Sequence, residues 1–259
     1  ESLRKLSQDL GRDTPPPLAA DRRKCSLCSW RRSCAAVATA EGHLSEVSGI
    51  GAKRREMLQQ LGIEGLQDLA AADPQQLAER MARFGEQHGE AAHGLVAQAR
   101  VQRDGAVEHL DVASALPELR DAPGVLLYDI ESDPDARHDF LHGFLRLPRR
   151  PDGSWDLTEA TYVPVLVLAE HGEARTWTRV NRLLRRHAAW PVLHYGETET
   201  LALRRLAQRQ GASDRELKQL KLRLVDVHAR IRRHWRLPLT SYGLKAVAAW
   251  RGVQWSQPG

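Results

Sequence analysis

An α/β fold is predicted for the second half of this 259-residue chain: a mixed sheet with flanking helices, preceded by a small helical domain. Three observations predict it. Apolar runs of strand length occupy 124–130, 139–147, 161–169 and 190–195, and helical periodicity appears at 178–188, 198–210, 213–223 and 241–250. Residues 41–100, by contrast, carry short helical patterns separated by glycines. The first three strands fit an antiparallel meander, with 148–160, which contains PRRPDG, as an irregular surface turn. The expected organisation is a cysteine-bearing segment at 1–40, a helical domain at 41–100, a charged linker at 101–122 and the α/β domain at 123–259.

Charge gives a weak pointer to the partner. Lys and Arg number 38 against 33 Asp and Glu, a formal charge of +5, which favours polyanions. Its distribution says more. The run 175–186 holds Arg175, Arg179, Arg182, Arg185 and Arg186 with no acid between them, and 230–236 adds Arg230, Arg232, Arg233 and Arg236. Arg182 and Arg186 are candidate phosphate contacts; a solvated helix face is the other reading of these runs. No stretch approaches the roughly 18 apolar residues of a membrane span and no apolar signal segment opens the chain, so a cytoplasmic protein without a membrane partner is expected.

Within 1–40 the PPP run at 15–17 offers no amide donors and reads as an extended spacer. All three cysteines follow, as Cys25, Cys28 and Cys34 in C-x2-C-x5-C spacing. Three thiols within ten residues, flanked by Arg and Lys that favour thiolates, point to a metal centre rather than to packing. Tetrahedral zinc and an iron–sulfur cluster both ask for four protein ligands. His43 can supply the fourth for zinc; a further cysteine upstream of residue 1 is the simpler source, since the chain opens on Glu1 rather than Met and is expected to be a fragment.

The helical domain opens with SGIGAKRREMLQQLGI. Gly49 and Gly51 around Ile50 allow a tight turn with exposed amides, and the helix beginning near Ala52 adds its positive end. Lys53 and Arg54 stand where they strengthen contact with one backbone phosphate, while Ile50, Met57, Leu58 and Leu61 pack inward. The segment resembles a helix–hairpin–helix element, which implies DNA binding without sequence preference. A helix-pair scaffold that holds no nucleic acid is the alternative.

In the α/β domain, LLYDIES at 126–132 ends an apolar strand on Asp129 and Glu131. Alternation sends both carboxylates to one side while Ile130 returns to the core, and two such carboxylates repel unless a cation lies between them. LHYGETETLALRRLA at 193–207 then places Glu199 in the first turn of a helix directly after a strand, where it serves either as a third metal ligand or as an ordinary acid at the helix N-terminus. His194 and Tyr195 end that strand and either orient a phosphate or terminal base, or pack behind the ligands. Asp226 and His228, in LVDVHAR, either approach the metal or, for Asp226, cap the helix carrying Ile231. Lys245 is placed to reach a nucleic-acid groove.

In this order, C-x2-C-x5-C, SGIGAK, YDIES, HYGETE and VDVHARIRRHWRLPLTSYGLKAV resemble the predicted RecB-like nuclease family that carries a ribonuclease-H-like exonuclease domain at its C-terminal side, over about 22–255 of the chain. The resemblance implies that Cys25, Cys28 and Cys34 close a 4Fe-4S cluster whose first cysteine comes from an upstream RecB-like domain, with zinc as the alternative metal. It also implies a DEDD-type 3′–5′ exonuclease site in which Asp129 and Glu131 form the first motif and Glu199 stands where relatives usually carry Asp. Asp226 matches a recurrent aspartate that need not bind metal.

The function implied is hydrolysis of DNA phosphodiester bonds, 3′ to 5′ on single strands, with two Mg²⁺ or Mn²⁺ ions; DNA held by its phosphate backbone and a helicase are the expected partners. The RecB-type motifs and the family's last acidic motif have no match, so the chain is expected to be an inactive or weakly active piece of that enzyme. Two other readings remain: a non-catalytic DNA-binding accessory module, and an iron–sulfur or zinc-stabilised scaffold without nucleic acid.

Overall fold

The computed structural model describes residues 31–133, 138–167 and 172–254, which leaves Cys25 and Cys28 outside the described residues. The chain forms two compact units, one from Glu1–Glu108 with Arg236–Gly259 and one from His109–Trp235.

The first unit contains helices α1 (Arg31–Ala40), α2 (Ala52–Gln60), α3 (Leu66–Ala71), α4 (Pro74–Ala82) and α5 (Glu86–Asp104). Leu44, Leu58, Leu69, Leu77, Met81 and Val96 pack into one core. Asp73 starts α4 by accepting the Gln76 amide at 2.8 Å, with Pro74 at the first helical position where its missing N–H costs nothing. Helices α4 and α5 approach closely at Gly89, where a Cβ would lie 2.9 Å from the Ala78 carbonyl oxygen. Residues 101–104, expected to open a linker, are instead the last turn of α5, which stops at Gly105 in the left-handed region (φ 65°).

The second unit is built on five strands: β1 (Gly124–Asp133), β2 (His138–Pro148), β3 (Thr161–Leu166), β4 (Val192–His194) and β5 (Leu224–Asp226). They lie in the order β3-β2-β1-β4-β5. The β1–β2 and β2–β3 ladders are antiparallel, whereas β1–β4 and β4–β5 are parallel. The expected mixed sheet with its opening meander is therefore present, and a fifth strand, β5, is added that no apolar run announced. Helices α6 (Gly172–Arg186), α7 (Glu197–Arg209), α8 (Asp214–Arg223) and α9 (Val227–His234) flank it.

Alternation along β1 divides the packing. Leu126 and Tyr128 join Phe144, Val180, Leu184 and Leu203 in the core beneath α6 and α7. Val125 turns to the opposite face, with Leu193 and Val225. The C-terminal end of α6 is closed by Arg223, whose guanidinium donates to the carbonyls of Leu184 (3.0 Å), His187 (2.7 Å) and Trp190 (3.0 Å). A last helix, α10 (Leu244–Trp250), belongs to the first unit, where Gln98 donates to the Leu237 carbonyl at 2.9 Å and accepts from the Tyr242 hydroxyl at 3.1 Å. Among the described residues no helix is long and apolar enough to cross a membrane.

Candidate functional site

The acidic residues lie toward the C-terminal ends of the parallel strands. Pairing of β1 with β4 covers Leu126–Val192 and Leu127–Leu193, so β1 runs on past its parallel neighbour before it reaches Asp129. Asp129 and Glu131 are both exposed and leave by the face opposite Tyr128, as the alternation requires. Strand β4 ends at His194, level with Asp226 on β5. Gly196, at φ 114°, then turns the chain into α7, and Glu199 arrives in that helix's first turn.

Glu199 is the unusual member of the group. It is only 9 % exposed, and its Oε2 is buried without a hydrogen-bond partner. Burial pushes its pKa above the ordinary carboxylate value; its own backbone amide pulls the other way, and the charges of Asp129 and then Asp226 push it up again. A buried carboxylate oxygen with no donor, whose charge is further disfavoured by two more carboxylates, is short of positive charge.

The turn that presents Glu199 is held by two residues. Asp226 Oδ1 accepts the Gly196 amide at 3.1 Å and the Ala229 amide at 3.2 Å, so it caps α9 and fastens the β4–α7 turn together. His194 is buried, with Nδ1 2.8 Å from the Gly196 carbonyl oxygen and Nε2 2.9 Å from Thr200 Oγ1. A carbonyl only accepts, so Nδ1 carries the proton and Nε2 accepts from the threonine. Burial lowers the His194 pKa, against the Gly196 carbonyl and Asp226, which agrees with a neutral ring. His194 is thus packed within the turn, with both ring nitrogens bonded to it or to α7. Tyr195 sits against His228, ring centroids 5.4 Å apart, and its phenol is pushed up by burial and by Asp226.

One pair here was not foreseen. Tyr128, buried behind Asp129, is hydrogen-bonded to His142 Nδ1 at 2.8 Å. Its pKa is raised by burial first, then by Asp139, Glu199 and Asp129. The alternation that exposes Asp129 already sent Tyr128 inward; its partner depends on the β1–β2 register, which the sequence does not display.

The donor set, oxygen only, suits a hard divalent cation, and the unpartnered Glu199 Oε2 is where such an ion would be felt. Among the described residues, however, no three Asp, Glu, His or Cys side chains stand close enough to hold one ion. The geometry accounts for this: α7 packs on the Tyr128 face of the sheet, whereas Asp129 and Glu131 leave by the opposite face.

The remaining expected contacts lie elsewhere. Arg182 and Arg186 are exposed on α6, and Lys245 is exposed on α10 in the first unit. Gly49 has φ 91° and Gly51 precedes α2, with Lys53 exposed; the Arg54 guanidinium donates to the Gly49 carbonyl at 2.7 Å and so braces the turn. His43 Nδ1 accepts the Ser45 amide at 3.2 Å, and Cys34 is exposed on α1.

The RNase_H_2 family model, of the RNase H superfamily, matches residues 126–259, the segment that carries every acid of this group. No curated protein and no solved structure matches the chain.

Proposed function

The chain belongs to the RNase H superfamily, and from that membership we propose that it is a metal-dependent nuclease hydrolysing DNA phosphodiester bonds, 3′ to 5′ on single strands. The observation that carries the reading is Glu199: a nearly buried carboxylate with an unpartnered oxygen, loaded further by the charges of Asp129 and Asp226. Asp129, Glu131 and Glu199 are the residues that would hold Mg²⁺ or Mn²⁺, with Asp129 and Glu131 free in solvent to swing toward the ion. When bound, such ions lower the pKa of water and offset charge on the attacking and leaving oxygens.

The chain's own contribution is placement. Asp226 and His194 fix the β4–α7 turn so that Glu199 is presented at one orientation, and the buried Tyr128–His142 pair sets the strand behind Asp129. Exposed Arg182 and Arg186 on α6, with Lys53 at the α2 turn, are the proposed contacts to the phosphate backbone, which position a strand without reading bases. In this reading Cys25, Cys28 and Cys34 hold a 4Fe-4S cluster or zinc, and a RecB-like domain and a helicase are partners.

Hydrolysis of 5′-labelled and 3′-blocked oligonucleotides in Mn²⁺ tests the proposal. Weak stepwise shortening from the 3′ end is expected, since the family's last acidic motif has no match in the sequence, and it is lost in Asp129→Asn. Activity retained in that variant refutes the site, and products indifferent to the 3′ block refute the polarity. The spread of the acids, with no three within reach of one ion, favours a second reading, a DNA-binding accessory module. Strand binding with no hydrolysis in either metal would select it.

A further inference from the structure

We propose that Tyr162 is a positioning residue on which the 3′-terminal nucleotide of a single strand stacks beside Asp129, an assignment that rests on the nuclease reading above. Beside Asp129 stands a glycine that the backbone does not need. Gly143 sits in β2, between β1 and β3, in the middle of both antiparallel ladders. Its φ is not among the positive values that demand glycine. Glycine in an interior strand weakens it, and marks a place where another group comes close.

That group is Tyr162. A Cβ on Gly143 would lie 2.6 Å from the Tyr162 hydroxyl oxygen and 3.2 Å from its Cε2, so the tip of the ring occupies the space a side chain would take. Tyr162 itself pairs with Leu145, one same-face step from Gly143, and therefore leans across β2 toward β1. On the other side, Gly143 pairs directly with Asp129. Adjacent strands are about 4.8 Å apart, which sets the hydroxyl about one strand spacing from Asp129, on the face where Asp129 emerges.

The ring is not there to fill a core. It is 55 % exposed, its hydroxyl has no partner among the described residues, and its same-face neighbours Leu127 and Leu166 are also open to solvent. A flat, half-exposed aromatic next to a hydrolytic carboxylate offers a stacking surface to any base, since every base has a π face. A protein partner is a poorer fit, because covering this face buries Asp129 and Glu131 as well.

Photocrosslinking of the full chain tests the assignment independently of turnover. The probe is an oligothymidylate with 5-iododeoxyuridine at its 3′ end and a phosphorothioate as its last linkage, mapped by mass spectrometry. The expected crosslink is to Tyr162, kept by Tyr162→Phe and reduced about tenfold by Tyr162→Leu and by Gly143→Ala, whose Cβ displaces the ring. In Mn²⁺, Tyr162→Leu is expected to raise KM for single strands about tenfold, with kcat within about twofold and Tyr162→Phe close to wild type. A crosslink mapping elsewhere in a chain that hydrolyses DNA overturns the assignment and leaves the nuclease reading standing. A crosslink to Tyr162 in a chain that hydrolyses nothing supports the assignment and refutes hydrolysis. Unchanged crosslinking in Tyr162→Leu with an altered oligomeric state overturns it in favour of a second copy on this face.

Discussion

The Gly196 amide donates to the Asp226 carboxylate at 3.1 Å, tying the turn after β4 to the residue that ends β5. One side-chain oxygen therefore serves the sheet edge, the α9 cap and the orientation of Glu199 together. Asparagine keeps an accepting oxygen, whereas alanine removes it. Asp226→Asn is expected to stay within about 0.5 kcal/mol of wild type and Asp226→Ala to lose about 2 kcal/mol, through one lost cap and one stranded amide. Urea melts of the two variants decide this; equal losses would show that the charge, not the accepting geometry, holds the turn.

Glu199 makes a contrary demand. Its buried, unpartnered oxygen costs stability when no cation is present, so Glu199→Gln is expected to be more stable than wild type in EDTA by about 1 kcal/mol. Millimolar Mg²⁺ or Mn²⁺ should raise the wild-type Tm and leave that of Glu199→Gln unmoved. Thermal melts with and without each ion provide the measurement. A wild-type Tm that ignores both ions removes Glu199 from the metal site.

His187 supplies a pH dependence distant from the acids. Its Nε2 accepts from Arg146 Nε at 2.9 Å, and its pKa is pushed below 6.5, by burial first and then by Arg146, Arg186 and Arg223. The unfolded chain therefore takes up this proton before the folded one does. Stability from His187 is complete above about pH 6.5 and is lost as pH falls from there toward the depressed folded value. His194 shifts in the same direction, so His187→Gln should flatten the fall in urea midpoint between about pH 6.5 and 5 only in part. An unchanged slope would remove His187 as a contributor.

At the α2 turn, neighbouring basic residues should separate by role. Lys53 is exposed, while Arg54 spends its guanidinium on the Gly49 carbonyl. Lys53→Ala is expected to weaken binding of unrelated DNA sequences alike and to lower the salt slope by about 1, with Tm unchanged. Arg54→Ala should lower Tm by loosening the turn. Fluorescence titrations at several salt concentrations, beside thermal melts, check both; a Lys53 variant with unaltered affinity moves the proposed contact to Arg182 and Arg186.

What the sequence disclosed followed the range of the forces involved. The alternation in LLYDIE is local, so the opposed faces of Tyr128 and Asp129 were legible, as was the meander that follows. The position of Glu199 in a first turn followed from the strand and glycine just before it. Strand β5 was not legible, because three residues whose pairing is with distant β4 carry no period of their own. Nor was the reach of α5 to Asp104, since its last turn is charged and is stopped only by Gly105. The Tyr128–His142 bond, the closure of α6 by Arg223 and the lean of Tyr162 over Gly143 all depend on register between segments far apart in sequence.

That same separation sets an order of assembly. Strands β1 and β2 are neighbours along the chain and zip through a long antiparallel ladder, whereas β1 reaches β4 only after β2, β3 and α6 have been threaded between them. Closing that loop costs entropy before its short parallel pairing returns anything, so the meander is expected to mature early and the β4–β5 edge late. Substitutions in the β1–β2 ladder should then slow folding, while those at the Gly196–Asp226 link should chiefly hasten unfolding. Asp129 would be in place early in folding, and the turn carrying Glu199 would join it in one of the last steps.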